Sequence, residues 1–389
     1  MVRILLCLLL LIVAVNAWAQ TDTDGRRILR VGPERVLKTP GQAAKVARNG
    51  DLILIDSGEY HGDTALWRQS GITLRGATPR PHLIADGVAR QGKAIWVITG
   101  DNVEVENIEF SGTKVASHNG AGIRAEGNRL LIRKCYFHDN EMGLMSNHNP
   151  RGEIVIEDSE FAHNTTDYEQ HHRLGHNIYI GRIKRFTLRN SYIHDARVGH
   201  NVKTRAAENR LYYNLVADGG LRSSYLVDIA EGGQAYLVGN LFRQGPEADN
   251  LTLISYAAEG GRDRTDQSLY LVNNTLVNDA TTGTFIRNHG VAHTHLRNNL
   301  FVGPGRHFTG LASSQGDVAS DAPGFVDRPG LDFHLHADSP AIDQGRDPGS
   351  SPLGIDLYPR LEYSYPTAAT PRRQVGAIDA GAFEYLPRL

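Results

Sequence analysis

The sequence predicts an all-β solenoid, and two observations lead to this prediction: a repeated unit and its regular spacing. One unit recurs along the chain: a short apolar strand, a small polar residue, a large apolar residue and a polar turn. Clear copies read LLIRKCYFHDN at 130–140, IVIEDSEFAHN at 154–164 and FTLRNSYIHDA at 186–196. The large apolar residues of successive copies lie 27, 24, 32, 23, 26, 34 and 25 positions apart; they are Phe110, Phe137, Phe161, Ile193, Val216, Phe242, Leu276 and Phe301. A strand-based period of about 25 residues is typical of β-solenoids.

Length and composition agree with a solenoid. The 389 residues are more than one ordinary core supports, but each coil of a solenoid buries its apolar face only against its neighbours. The 41 glycines suit a chain with many turns. A net charge of −2, without a basic patch that carries aromatic residues, argues against nucleic acid as a partner.

The segment 1–19 has the pattern of a signal peptide. Arg3 precedes an apolar run from Ile4 to Val15, and Ala17-Trp18-Ala19 fits a cleavage site. We therefore expect a secreted or periplasmic protein that begins at Gln20 and has no membrane segment after cleavage. Only Cys135 then remains in the mature chain, so an intrachain disulfide is excluded and a buried structural role is expected for this residue.

The rest of the chain divides into three parts. Residues 20–50 are predicted to be a lead-in with a helix at 40–48 that covers the open end of the solenoid. Residues 51–319 are predicted to form the coils, and their first strand reads DLILIDSGEY at 51–60. Residues 320–389 are rich in Pro, Gly and Asp, and they are predicted to form an irregular C-terminal cap.

A second series of strands aligns at intervals of about one coil. It includes Asn177-Ile178-Tyr179, Asn201-Val202-Lys203 and Tyr225-Leu226-Val227, which follow one another at equal intervals. Since side chains alternate along a strand, the middle residues point inward and Tyr179 lies beside Lys203 on the surface. The same alignment places Asp228 with the inward residues Ile180 and Thr204. Four asparagines are predicted to form a ladder inside the coils: Asn214, Asn240, Asn274 and Asn299.

Several segments resemble the right-handed parallel β-helix superfamily of pectate-lyase and alginate-lyase type. They are NGDLILIDSGEYHGD at 49–63, GITLRGATPRPHLIADG at 71–87, IWVITGDNVEVENIEFSG at 95–112, SPAIDQG at 339–345 and VGAIDAGAFEY at 375–385. The resemblance covers roughly residues 30–389 and implies a right-handed parallel β-helix that acts on uronate polysaccharides as a lyase, hydrolase or epimerase. The paired aspartates of polygalacturonase-type hydrolases and the Asp-Pro-His-Asp signature of mannuronan epimerases are missing, and Arg182-Ile183-Lys184 is interpreted as a coincidental match.

The densest group of candidate residues runs from 171 to 205, next to an insertion of about eight residues at 163–175. The hypothesis is β-elimination. Arg205 neutralises the uronate carboxylate, Lys203 is the base if its pKa is lowered, and Tyr179 and His200 are alternative proton carriers. The resemblance to β-helix lyases that use Lys and Arg supports Lys203 and Arg205. Predicted substrate-binding residues are His172, Arg173, His176, Asn177, Asn201 and Arg222.

Three other classes stay open: a glycoside hydrolase that uses Asp228 and Glu231, a C5-epimerase, and a non-catalytic glycan-binding or exopolysaccharide-assembly protein. No cofactor and no metal are predicted. The turn acids Asp139, Glu141 and Asp158 lack a spacing that supports calcium, and His171-His172 would face opposite ways on a strand. The expected partner is an acidic polysaccharide or oligosaccharide, and the expected state is a monomer.

Overall fold

The computed structural model describes residues 20–220, 222–261 and 266–387, so the predicted signal peptide lies outside the described residues. Three long parallel sheets, named A, B and C here, run along the chain with one strand of each in a coil. Among the described residues no helix is long and apolar enough to cross a membrane.

Sheet A has 13 strands, and all neighbours pair in parallel except the first two. Its strands are β1 (Gln20–Thr21), β2 (Arg27–Val31), β3 (Leu52–Ile55), β6 (Thr73–Gly76), β9 (Val103–Glu106), β12 (Arg129–Arg133), β15 (Asn149–Glu157), β18 (Ile183–Arg189), β21 (Glu208–Tyr212), β24 (Gln234–Val238), β27 (Ser268–Val272), β30 (Thr294–Arg297) and β33 (Ala312–Gln315). Parallel pairing therefore begins at β2, before residue 51.

Sheet B has 11 strands, which are short. They are β4 (Glu59–His61), β7 (His82–Ile84), β10 (Glu109–Ser111), β13 (Tyr136–His138), β16 (Glu160–Ala162), β19 (Tyr192–His194), β22 (Leu215–Ala217), β25 (Leu241–Gln244), β28 (Thr275–Asn278), β31 (Leu300–Val302) and β34 (Val318–Ala319).

Sheet C has 10 strands and carries the candidate site. They are β5 (Ala65–Trp67), β8 (Ala94–Ile98), β11 (Ala121–Ala125), β14 (Met142–Ser146), β17 (His176–Ile180), β20 (Val202–Thr204), β23 (Val227–Ile229), β26 (Thr252–Tyr256), β29 (Thr284–Asn288) and β32 (Arg306–Thr309).

The interior is built from stacked identical positions. The eight large apolar residues listed above are register partners from coil to coil, as predicted. The rings of Phe110, Phe137 and Phe161 stack nearly parallel, with centroids 4.9 and 4.5 Å apart. Because each coil repeats the same cross-section, one row of side chains fills the core along the whole axis.

The predicted asparagine ladder is also present. Asn214, Asn240 and Asn274 each donate from Nδ2 to Oδ1 of the next member, and Asn299 donates to Asp317 at the end. The four asparagine side chains are completely buried. Their Oδ1 atoms accept backbone N–H groups at the turn between sheets A and B. The ladder therefore has a structural role.

Two helices and two hairpins complete the described part of the chain. Helix α1 (Pro40–Val46) starts after Thr39, whose hydroxyl accepts from the backbone N–H of Gln42, and it packs Ala43 and Ala44 into the core. Helix α2 (Tyr168–His171) lies in the predicted insertion. The hairpins pair β35 (Phe325–Asp327) with β36 (Asp332–Leu335), and β37 (Leu361–Ser364) with β38 (Ala368–Pro371).

The C-terminal segment folds back along the coils. Phe333, Tyr363 and Phe383 pack on the outer face of sheet B, against the residues of β19 to β31. Leu357 packs against Tyr236 and Tyr270 on sheet A. This segment thus covers the outer faces of sheets A and B in the later coils.

Candidate active site

A row of polar side chains crosses the outer face of sheet C. Tyr179 pairs with Lys203, Lys203 with Asp228, Asp228 with Ser255, and Ser255 with Arg287. Each member belongs to the next coil, so the row runs along the axis of the solenoid. The residue before each member of the row points inward and is completely buried. These inward residues are Ile178, Val202, Val227, Ile254 and Ile286.

This register confirms that Tyr179 lies beside Lys203, as predicted, but it corrects the predicted position of Asp228. Val202 pairs with Val227 rather than with Leu226, so this coil is longer by a single position than equal spacing implies. Such a shift moves a side chain to the opposite face of a strand. Asp228 therefore stands beside Lys203 in the outer row, and not with Ile180 and Thr204.

Lys203 lies between two carboxylates. Its Nζ is 2.9 Å from Asp228 Oδ2 and 2.6 Å from Glu259 Oε1. Burial alone would lower the pKa of Lys203, but the two carboxylates outweigh it and raise the pKa above its ordinary value. The sequence-based hypothesis required a lowered pKa for a basic Lys203, and the structure gives the opposite direction. Lys203 is a cation at neutral pH.

Arg205 follows β20 and contacts the same carboxylate. Its Nη2 donates to Glu259 Oε2 at 2.5 Å, and its Nη1 donates to the Tyr179 hydroxyl oxygen, also at 2.5 Å. Its guanidinium lies over the Tyr179 ring, 5.2 Å from the centroid. Glu231 is 3.5 Å from Arg205 Nε and also binds Arg182. Lys203 and Arg205 together therefore hold one carboxylate.

The two acids on Lys203 have pKa values shifted in opposite directions. Burial raises the pKa of Asp228, and Lys203 and the nearby Ser255 hydroxyl only partly oppose this shift. Burial also acts on Glu259, but Lys203 and Arg205 outweigh it and lower the pKa of this acid. Asp228 Oδ1 and the Ser255 hydroxyl are both buried, and neither makes a hydrogen bond of normal geometry among the described residues.

His176 and His200 stack as predicted, with ring centroids 4.9 Å apart, but both are buried. His176 Nδ1 accepts the backbone N–H of His200, and His200 Nδ1 accepts that of Tyr225. The proton of each neutral ring is therefore on Nε2. Burial lowers the pKa of His200 to about 3 and that of His176 well below its usual value. His200 is thus poorly suited to the proton-carrier role, and its Nε2 lies 3.7 Å from Asp228.

Asn177 and Asn201 do not reach the surface, which corrects their assignment to substrate binding. Both are completely buried. Asn177 Nδ2 donates to Asn201 Oδ1, and Asn201 Nδ2 donates to Asp218 Oδ1, at 2.8 and 2.9 Å. Asn140 and Asn164 extend this second ladder. Asn177 and Asn201 recur at equivalent positions of successive coils because their side chains hydrogen-bond to each other inside the solenoid.

The remaining predicted residues lie on exposed loops. His172 ends α2 in a left-handed conformation, and its ring meets that of Tyr168. The backbone carbonyl of Arg173 accepts from Thr166, and Arg222 pairs with Asp249. Within the described part of the chain, no hydrogen bond or ion pair joins these three residues to Lys203, Arg205 or Tyr179.

The predicted turn acids have separate partners. Asp139 binds His138, Glu141 accepts the backbone N–H groups of Val115 and Gly120, and Asp158 accepts from Asn190. They are therefore spread over different contacts and form no common calcium site among the described residues.

The sequence interpretation missed Glu259 and did not use Arg182. Glu259 lies 56 residues after Lys203, in a turn near Ala257 and Gly261, whose backbones are left-handed. The interval of 34 residues between Phe242 and Leu276 is longer than one period and indicates a polar loop near 257–268. The loop was thus foreseeable, but the contact of its acid with Lys203 was not.

The fold agrees with known proteins. A family model described as a right handed beta helix region matches residues 65–242. The chain is a right-handed parallel β-helix. The solved structure of pectate lyase Pel9A superposes with a TM-score of 0.63 over 93% of this chain and 98% of that chain, at 15% sequence identity. A search among curated proteins finds no match. These similarities establish the β-helix fold.

Proposed function

We propose that this β-helix protein is a secreted polysaccharide lyase that cleaves a uronate-containing glycan by β-elimination. The reaction site would be the outer row of sheet C around Tyr179, Lys203 and Arg205. The fold that the chain shares with a pectate lyase supports this proposal, and the contacts of Glu259 carry it.

Glu259 supports the assignment because it is itself a carboxylate held by the proposed substrate-binding cations. Its two oxygens accept separately from Lys203 Nζ and Arg205 Nη2, at 2.6 and 2.5 Å. The C6 carboxylate of a uronate offers the same two oxygens. The Glu259 side chain is 41% exposed and comes from a turn, so a substrate carboxylate can replace it.

Tyr179 and Lys203 carry out the two proton transfers in this proposal. Tyr179 takes the C5 proton on its side-chain oxygen, and Arg205, whose Nη1 contacts this oxygen, stabilises negative charge there. The C4–O bond then breaks while a C4=C5 double bond forms. The Lys203 ammonium, which the raised pKa keeps protonated, donates a proton to the leaving oxygen. Lys203 is therefore proposed as the acid and Tyr179 as the base.

The test is incubation of the mature protein with a panel of uronate polymers while the ultraviolet absorbance of the C4=C5 double bond is followed. Tyr179→Phe is the informative variant because it keeps the ring and removes the hydroxyl. We expect activity in the wild type and a loss of about 100-fold or more in the variant. A folded wild type that is silent on the whole panel contradicts the proposal.

A glycoside hydrolase is a second candidate, and one observation favours it. Asp228 has a raised pKa and Glu259 a lowered one, although both contact the same Lys203 ammonium. Two carboxyl groups whose pKa values are shifted apart are the arrangement that glycoside hydrolases use. New reducing ends without the double-bond absorbance would identify this activity.

Secretion is the remaining part of the proposal and rests on the sequence of residues 1–19. The mass of the protein recovered from a secreting host tests it. We expect a mature chain that begins at Gln20, and an intact N-terminus would contradict a cleaved signal peptide.

A further inference from the structure

A second group of ionisable side chains lies on the outer face of sheet B. His82, Glu109 and His138 come from β7, β10 and β13, which are neighbours in the sheet. The three residues are half-buried, and each offers one ligand atom within 4.8 Å of the other two. They stand in coils that precede the Lys203 site, and the proposed reaction does not use them.

The distances within this group fit a metal ion. Glu109 Oε1 is 3.6 Å from His82 Nδ1 and 3.0 Å from His138 Nε2. Metal–ligand bonds of about 2.0–2.1 Å at tetrahedral angles separate the ligand atoms by about 3.3 Å. The observed separations lie on either side of this value. Small side-chain adjustments would bring all three atoms to one ion.

The nitrogens that would face away from the ion already have partners. His82 Nε2 is 2.7 Å from the Ser111 hydroxyl, and His138 Nδ1 is 2.6 Å from Asp139 Oδ2. The ring of Tyr136 stacks on His138 with centroids 4.4 Å apart. Histidines that bind metals are usually oriented by such a hydrogen bond from the second ring nitrogen. Both imidazoles are therefore oriented as metal ligands are.

We propose that His82, Glu109 and His138 bind one divalent transition-metal ion of the zinc class, with water in the fourth position. Two imidazoles and one carboxylate suit zinc and its neighbours, whereas calcium prefers six to eight oxygens. The ion would join three consecutive coils that precede β19, the first strand of sheet B against which the described C-terminal segment packs. Binding would therefore stabilise the early coils of the solenoid.

Two other histidine groups on sheet B provide comparisons. His61 lies between the carboxylates of Glu59 and Asp86 on β4, the strand next to β7. His163, His194 and Asp195 form a wider group, in which His163 Nε2 is 4.0 Å from Asp195 and the His163 side chain is 46% exposed. His61→Ala is thus a matched control that removes a carboxylate-bound histidine from the same sheet. His163→Ala tests the wider group.

The experiment titrates the chelator-treated full mature chain with Zn²⁺ by calorimetry and with Co²⁺ by absorption spectroscopy. We expect saturable Zn²⁺ binding, tetrahedral-type Co²⁺ bands and a higher thermal midpoint with Zn²⁺, but no response to Ca²⁺. His82→Ala and Glu109→Gln should abolish the Co²⁺ bands, and Ser111→Ala should weaken binding about tenfold. His61→Ala should bind as the wild type does.

A readout on the wild type keeps the test valid if a variant fails to fold. Zn²⁺ should protect His82 and His138, but not His61, from diethyl pyrocarbonate, as measured by peptide mass. The proposal is overturned if the wild type binds no Zn²⁺, if folded His82→Ala binds with unchanged affinity, or if His163→Ala alone removes binding. None of these outcomes depends on lyase activity.

Discussion

Asp228 Oδ2 lies 2.9 Å from Lys203 Nζ, and the two residues are direct register partners on β20 and β23. Both side chains are almost completely buried although they belong to the outer face of the sheet. Removing two charges from water costs free energy, so a buried ion pair needs a reason to be kept. Such pairs occur in functional sites and also in structural networks. Its contribution is measurable by removal of either partner.

Asp228→Asn removes the carboxylate while it keeps the shape of the side chain. We expect a loss of about 3 kcal/mol in the free energy of unfolding, because Lys203 then stays buried with Glu259 as its remaining carboxylate partner. Urea denaturation measures this loss. The control is Ser255→Ala, next in the row, whose buried hydroxyl makes no hydrogen bond of normal geometry to any residue that the structure describes. It should change stability by less than about 1 kcal/mol, and equal effects of the two variants would contradict a role for the ion pair.

Glu259→Gln tests whether this acid occupies the position of the substrate carboxylate. The variant removes the charge that competes with a uronate for Lys203 and Arg205. We expect KM for the acidic glycan to fall about fivefold, equivalent to about 1 kcal/mol for a partly exposed ion pair. Initial rates over a range of glycan concentrations give KM and kcat. A large fall in kcat with unchanged KM would instead place Glu259 in the reaction and favour the hydrolase.

The repeat made the core predictable, and the site was predictable only in part. The row from Phe110 to Phe301 follows from the period alone, because each coil packs on the next with the same residue. Asp228 was misplaced because its coil is longer by a single position than the one before it, and strand alternation turns this difference into a change of face. Glu259 reaches Lys203 from a loop 56 residues away, and no periodicity fixes such a contact.

The histidines show a different limit. The alignment of His176 with His200 was correct, as their stacked rings demonstrate. Their protonation depends on backbone amides that bind each Nδ1 and on burial, and neither property can be obtained from the spacing of residues in the sequence. The position of a residue in a solenoid is therefore easier to predict from the sequence than the protonation state of its side chain.

Cys135 should be inert in the folded protein. The side chain is buried, and burial raises the pKa of its thiol to about 11. We expect no reaction with a thiol reagent at neutral pH until the protein is unfolded, since the thiolate is the reactive form. Absorbance of the released reagent anion measures the reaction. Rapid labelling of the native protein would show that the coil around Cys135 opens.

The end of the second asparagine ladder predicts a pH dependence of stability. Asp218 is buried, accepts from Asn201 on Oδ1 and from the Ser223 hydroxyl on Oδ2, and burial raises its pKa from 3.8 to about 7. The folded state therefore binds this proton more tightly than the unfolded state does. The resulting stabilisation is complete below about pH 4 and is lost as the pH rises through about 7.

Asp218→Asn should remove this dependence, since an amide can accept from Asn201 and donate to Ser223. Relative to the wild type, we expect the variant to gain about 2 kcal/mol between about pH 5 and about pH 8. Urea unfolding of both proteins at each pH gives the difference, in which the titrations of all other groups cancel. A constant difference across this range would mean that Asp218 is already ionised in the folded protein at about pH 5, and that the ladder ends in a carboxylate rather than a protonated acid.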